Sequence, residues 1–110
     1  MTRNSQTLLQ GTVDLLILRA LQSGPSHGYS VSKWVRDRTD GVLTIEDAAL
    51  YQALHRLEAK RWIDAEWGVS DNNRRARYYA LTPHGREQLR AATASWRRYA
   101  SAMVKVLDPA

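Results

Sequence analysis

The stretch TIEDAALYQALHRLEAK, residues 44–60, followed at once by Arg61, Trp62 and Ile63, decides how the rest of the chain is read. Thr44 with Asp47 three residues on has the form of a capping box, the Thr hydroxyl accepting an orphan backbone N–H while the acidic side chain reaches back. That predicts a helix from about Ile45. Leu50, Leu54 and Leu57 then recur at steps of four and three and make one apolar stripe. The opposite face carries Tyr51, Gln52, His55, Arg56 and Ala59, a mixture of small, hydrogen-bonding and cationic groups where a merely solvated helix would show Glu/Lys pairs. Such a face suits an anionic, patterned surface, but by itself it is equally compatible with an ordinary exposed helix.

Upstream, residues 1–6 are polar and read as a short arm. Residues 7–21, TLLQGTVDLLILRAL, place Leu9, Val13, Leu16, Ile17, Ala20 and Leu21 on one broad face and Leu8, Leu15 and Leu18 on others. A helix apolar nearly all round is covered on more than one side, which in a small domain means a central helix or one that also meets a second subunit. Gly24-Pro25 ends it, and Ser26 is placed to cap a second helix running to about Arg38. In that helix Tyr29, Val31, Trp34 and Val35 are expected in the core and Lys33, Arg36 and Arg38 outside. Residues 24–28 also match the G-x-S-x-G form of a nucleophile elbow, but the preceding strand and large parallel sheet that such an elbow needs are missing, so Ser26 is read as a cap. Thr39-Asp40-Gly41 signals a turn, with Val42-Leu43 a short strand or extended link.

Downstream, Ile63, Ala65, Trp67 and Val69 alternate against Trp62, Asp64 and Glu66, the period-two pattern of a half-buried strand. Residues 70–73, SDNN, are loop composition, and residues 77–81 read as the returning strand of a hairpin. Arg74, Arg75 and Arg77 stand at its tip and start, suited to phosphates or a narrow minor groove. Thr82-Pro83 then opens a last helix. Leu89, Ala92, Trp96, Tyr99, Met103 and Val106 follow at steps of three and four, a coiled-coil seam on a helix of about 25 residues, or about 37 Å. Such a seam could pack back on its own domain, but the helix is longer than a small domain needs to cover, so a partner helix across a dimer is the favoured reading, with Leu9, Val13 and Leu16 of the first helix at the same interface.

With 110 residues the chain is expected to form one domain. It has no cysteine, which excludes disulfides, zinc-thiolate sites and thiol catalysis. An extended apolar leader and a membrane-length apolar run are both missing, so the cytoplasm is the expected location. His27, His55 and His84 lie in three separate elements without a metal-ligand spacing or paired carboxylates, so no metal, cofactor or enzymatic activity is expected. The net charge is +5: residues 1–54 are neutral overall and the whole excess falls in residues 55–110. A charged partner surface is expected in that half.

Three helices, a hairpin with a basic tip and a long helix make the layout of a mainly α, α+β winged helix-turn-helix protein. Its third helix enters the major groove while the wing touches adjacent backbone or minor groove. The parts are residues 1–6 as arm, 7–82 as DNA-binding domain and 83–110 as dimerisation helix. A winged helix can instead serve as a protein-interaction module without DNA binding. On this layout Ala49, Tyr51, Gln52 and His55 are the base-contact candidates, and Arg56, Lys60, Arg74, Arg75 and Arg77 the phosphate-contact candidates; Tyr51 is also compatible with a core position. Gln52 has the geometry to read adenine, and Ala48 or Ala49 to meet a thymine methyl.

LLQGTVDLLILRAL, the His27-Gly28-Tyr29 turn, AALYQALHRLEAKRWI, EWGVSDNNRRARYYALTPHG and ATASWRRYASAMVKVL resemble the PadR family of bacterial transcriptional regulators, over residues 7–107 and closest to the short members with one C-terminal helix. The most specific parts are Leu50-Tyr51 with Arg56-Leu57-Glu58, and the run from Arg77 to Thr82. The resemblance implies a homodimeric winged-helix protein that usually represses transcription, with double-stranded DNA as partner; the two-fold dimer implies an inverted-repeat operator. Where members often carry Gly or Ser/Thr before Leu-Tyr and Pro after it, this chain has Ala48, Ala49 and Gln52, which bears on the operator rather than the fold. Likeness to drug-sensing members makes Trp96 a candidate for stacking a small aromatic effector across the dimer interface; the other reading is a seam residue packed on its mate.

Overall fold

The computed structural model describes residues 11–109. Helix α1 (Thr12–Ala20) runs through a 3-10 turn (Leu21–Ser23) to a two-residue strand β1 (Ser26–His27) and helix α2 (Gly28–Arg38). Helix α3 (Asp47–Ala59), the hairpin β2 (Ile63–Val69) and β3 (Arg75–Leu81), and helix α4 (Pro83–Leu107) follow. The sheet is antiparallel in the order β1-β3-β2, so the predicted two-stranded wing gains a short third strand along β3. The long helix draws the molecule out to 54 Å.

The core is where the apolar stripes of the first three helices meet the base of the sheet. Ile17, Leu18 and Leu21, Val31 and Val35, Leu50, Leu54 and Leu57, then Ile63 and Tyr79, form one buried cluster. Burying each of the larger aliphatic side chains contributes about 1.5–3 kcal/mol. Leu89 of α4 closes this cluster. The seam residue expected at a subunit boundary is therefore spent inside its own domain, and α4 leaves the body only beyond it.

Several local expectations are corrected. Helix α3 begins at Asp47, not near Ile45, and its N-cap Glu46 makes no side-chain cap bond, so the Thr44/Asp47 capping box does not form. Ile45, buried in the core, instead occupies the N′ position of a hydrophobic staple with Leu50 at N4, and burying that side chain outweighs one exposed hydrogen bond. Helix α2 is capped by His27, whose Nδ1 accepts the Ser30 backbone N–H at 3.3 Å, because Ser26 is drawn into β1 opposite Tyr79. Tyr29 is 62% exposed rather than in the core. It falls off the stripe that Gly28, Val31 and Val35 define. Of the strand and the link left open for Val42 and Leu43, the link is the one formed.

Both helices of the helix-turn-helix segment are followed by left-handed residues. After α2, Asp40 (φ 52°) and Gly41 (φ 81°) turn the chain while the Gly41 N–H reaches the Arg36 carbonyl at 2.8 Å. After α3, Arg61 stands at φ 62°, its N–H bonded to the Glu58 carbonyl (3.0 Å) and the Trp62 N–H to that of Leu57 (3.1 Å), a Schellman motif. Thr82 caps α4 as expected, its Oγ1 accepting the Gly85 N–H at 2.9 Å with Pro83 in the first turn.

Candidate nucleic-acid interface

Along α3 the stripe Leu50, Ala53, Leu54 and Leu57 is buried, which leaves Ala48, Ala49, Gln52, His55, Arg56 and Ala59 facing outward. Tyr51 is divided between the two readings open in the sequence. Its hydroxyl end lies against Gly28, where an added Cβ would stand 2.8 Å from the oxygen, yet the residue is 45% exposed. Gly28 thus admits the tyrosine at the start of α2 and ties the two helices of the motif together.

On one face of the hairpin Ile63, Ala65, Trp67 and Val69 stand opposite Leu81, Tyr79, Arg77 and Arg75. Its lower half is core. Its upper half runs past the body, so Trp67 is 58% exposed and Val69 is exposed, where the alternating pattern placed them on the buried face. The residues opposite them are arginines, and the apolar face becomes an aromatic-cationic one without any change of period. At the tip, the loop is a closed turn: the Ser70 N–H donates to the Arg74 carbonyl (2.8 Å), the Asn73 N–H to the Ser70 carbonyl (2.8 Å), and Asn73 adopts φ 61°.

The outward side of α3, the first turn of α2 and this wing face enclose an open cleft of about 800 Å³. Tyr51 and His55 line it from α3, Tyr29 from α2, and Arg74, Arg75 and Trp67 from the wing. Of the predicted base contacts, Tyr51 and His55 are in the cleft wall, while Ala49 and Gln52 are exposed on α3 outside the lining set.

The cations are not equivalent. Arg74 is exposed and makes no ion pair among the described residues. The Arg75 guanidinium lies 4.5 Å from the Trp67 ring centre. Arg77 is half-buried, bonded through Nη2 to Glu58 Oε2 at 3.0 Å, while its buried Nε has no partner among the described residues. Arg56 is bonded to Asp14 of α1, and the Lys60 ammonium sits 4.5 Å from the Trp62 ring. Arg77 and Arg56 thus each hold a carboxylate already, while Lys60, like Arg75, rests on an aromatic ring and makes no ion pair among the described residues. Tyr79, at the foot of the wing, has its phenol pushed above the usual range by burial; Arg77 draws it back, and Glu58 and Tyr51 raise it further.

Tyr29, expected in the core, and Trp67, expected on the same strand face as Ile63, are both cleft residues. The phase of Val31 and Val35 was signal enough for Tyr29. For Trp67 no local signal exists, because how far a hairpin outreaches its core depends on the helices beneath it.

Of the seam, Leu89 is buried, Ala92 is half-buried, and Trp96, Tyr99, Met103 and Val106 are exposed. Val13 and Leu16 of α1 are half-buried against the core; Leu9 lies outside the described residues. Beside them a second cavity of about 430 Å³ opens between α1 and α4, lined in part by Leu15, Ala92, Trp96 and Tyr99. The Trp96 and Tyr99 ring centres are 5.6 Å apart. Among the described residues no helix is long and apolar enough to cross a membrane.

A family model described as the transcriptional regulator PadR-like family matches residues 17–91. A protein of Lysinibacillus sphaericus described as uncharacterized is 34% identical over 90 residues, covering 81% of this chain and 82% of that one. A transcriptional regulator from Clostridium thermocellum superposes with a TM-score of 0.81 at 32% identity, over 90% of this chain and 93% of its own. A PadR family transcription regulator from Clostridium difficile gives 0.77 at 30% identity, over 89% of this chain and 100% of its own.

Proposed function

Because the chain belongs to the PadR-like family of transcriptional regulators and is with them a DNA-binding regulator rather than an enzyme, we propose that it acts as a cytoplasmic homodimeric repressor on an inverted-repeat operator. The observation that carries the DNA geometry is the shared cleft: the outward side of α3 and the wing arginines border one concave surface. A duplex seated there would receive α3 in its major groove and the wing tip on the flanking backbone.

Roles follow from what each side chain already holds. Gln52 is exposed and makes no side-chain hydrogen bond among the described residues, suited to a bidentate contact with adenine, and Ala49 to a thymine methyl. Tyr51 and His55 stand at the rim of the groove-facing surface. Arg74 and Arg75 are the strongest phosphate candidates. Arg56 and Arg77 would take a phosphate only by exchange for Asp14 or Glu58, so their net contribution to affinity is smaller, whereas Lys60 on the Trp62 ring keeps its charge available.

For the dimer, residues 83–110 supply the surface. Trp96, Tyr99, Met103 and Val106 form an exposed apolar stripe whose burial against a second α4, beside Val13 and Leu16, would remove it from water. Two recognition helices would then stand about one DNA turn, or about 34 Å, apart. The cavity beside Trp96 is the proposed seat of a small planar aromatic effector, to be tested by fluorescence quenching that Trp96→Leu abolishes in an intact dimer.

The deciding experiment measures binding to a duplex from the protein's own upstream region, and to a scrambled duplex, across a salt series. Selective binding that weakens with salt, with a shallower salt slope in Arg74→Ala and Arg75→Ala, is expected. A folded protein without salt-dependent affinity for either duplex would point to the protein-interaction alternative.

A further inference from the structure

Resting on the DNA-binding reading, we propose that Trp67 is a positioning residue for DNA: its indole holds the Arg75 guanidinium as an oriented cation at the mouth of the cleft. An arginine on a hairpin tip ordinarily sweeps a wide volume, and fixing it costs side-chain entropy at the moment of binding. Here the cation rests against a ring before any DNA arrives. Trp67 has arginine neighbours on two sides, Arg75 at 4.5 Å and Arg77 at 5.9 Å from its ring centre. It stands directly opposite Arg77 in the ladder, and Arg75 is the next residue on the same face.

The stack is anchored at its lower end. Arg77 also lies 5.8 Å from the Tyr79 ring centre, over the core, and is bonded to Glu58 on the last turns of α3. A continuous series therefore runs from the recognition helix through Glu58 and Arg77 to Trp67 and Arg75. It sets the distance between groove-reading side chains and the wing cation. Trp67 is 58% exposed and outside the core cluster, so its place under Arg75 is explained better by orientation of charge than by core packing.

The role is testable with and without DNA. In the wild-type protein the δ-methylene protons of Arg75 should be displaced upfield by the indole ring current, and the displacement should vanish in Trp67→Leu. Binding of the upstream and scrambled duplexes should weaken about three- to fivefold in Trp67→Leu, the cost of ordering one long side chain at the moment of binding. The salt slope should stay near that of the wild type because the cation itself is retained, the double variant should bind no worse than Arg75→Ala alone, and Trp67→Phe should recover most of the loss. Wild-type affinity in Trp67→Leu, additive losses in the double variant, or unshifted Arg75 protons would each overturn the proposal. If the wild-type chain shows no salt-dependent DNA binding while the ring-current shift is present, the DNA-binding reading itself fails and takes the positioning role with it.

Discussion

The carbonyl oxygen of Trp62 lies 1.9 Å from the point where a β-carbon on Gly85 would stand. The first turn of α4 is thus seated directly on the backbone that joins α3 to the wing. The same carbonyl accepts the Thr82 N–H at 3.1 Å, and the Thr82 hydroxyl donates between the Arg61 carbonyl at 2.8 Å and that of Trp62 at 3.1 Å. Through this contact the long helix takes its direction from the DNA-binding body.

Gly85→Ala measures the closeness of that seat. Alanine gains about 1 kcal/mol of helix propensity over glycine, but the clash is with backbone, which cannot swing aside as a side chain can. A net loss of about 2–4 kcal/mol is expected in urea unfolding. A variant as stable as wild type would show that the α4 seat is looser than this geometry.

Arg61→Gly should act in the opposite direction. A left-handed residue other than glycine costs about 1–2 kcal/mol, and glycine's extra freedom in the unfolded chain returns about 0.5–1 kcal/mol of that. The cap bonds of the Schellman motif are all made by backbone groups and survive the change. A gain of about 0.5–1 kcal/mol is expected from the shift in urea midpoint at constant slope.

Tyr79 makes stability fall at high pH. Its phenol is raised in the folded protein, chiefly by burial, so the folded state holds its proton where the unfolded chain has lost it. The contribution is fully present below the unfolded value of about 10 and is lost as pH rises through the higher folded value. Unfolding followed from pH 8 to 11 should show this decline, and Tyr79→Phe should flatten it. An unchanged decline in the phenylalanine variant would assign it to other groups.

Met103→Glu tests the proposed dimer. Met103 lies in the exposed stripe, away from the core cluster, so the charge should leave the winged domain folded and break a subunit contact. Light scattering should report a monomer, and affinity for a two-half-site duplex should fall about 100-fold or more as the second half-site ceases to be intramolecular. A Met103→Glu protein that stays dimeric would place the interface elsewhere.

Much of this molecule follows from short-range patterns: the leucine stripe of α3, the Thr82-Pro83 start of α4, the Asp40-Gly41 turn and the alternation of β2 are legible because the physics behind them spans only a few residues. They are enough to fix the element order and the winged layout. Competition between neighbours is harder to read, as the loss of the Thr44 cap to the burial of Ile45 shows. What only the tertiary structure decided is which arginines are already engaged, that Tyr29 and Trp67 border the cleft, and that Leu89 is core. Arg56 meets a carboxylate 42 positions away, and Trp67 is exposed because the helices below the wing end before the strands do. Pattern reports what a side chain is suited to do; long-range packing alone determines which partner reaches it first.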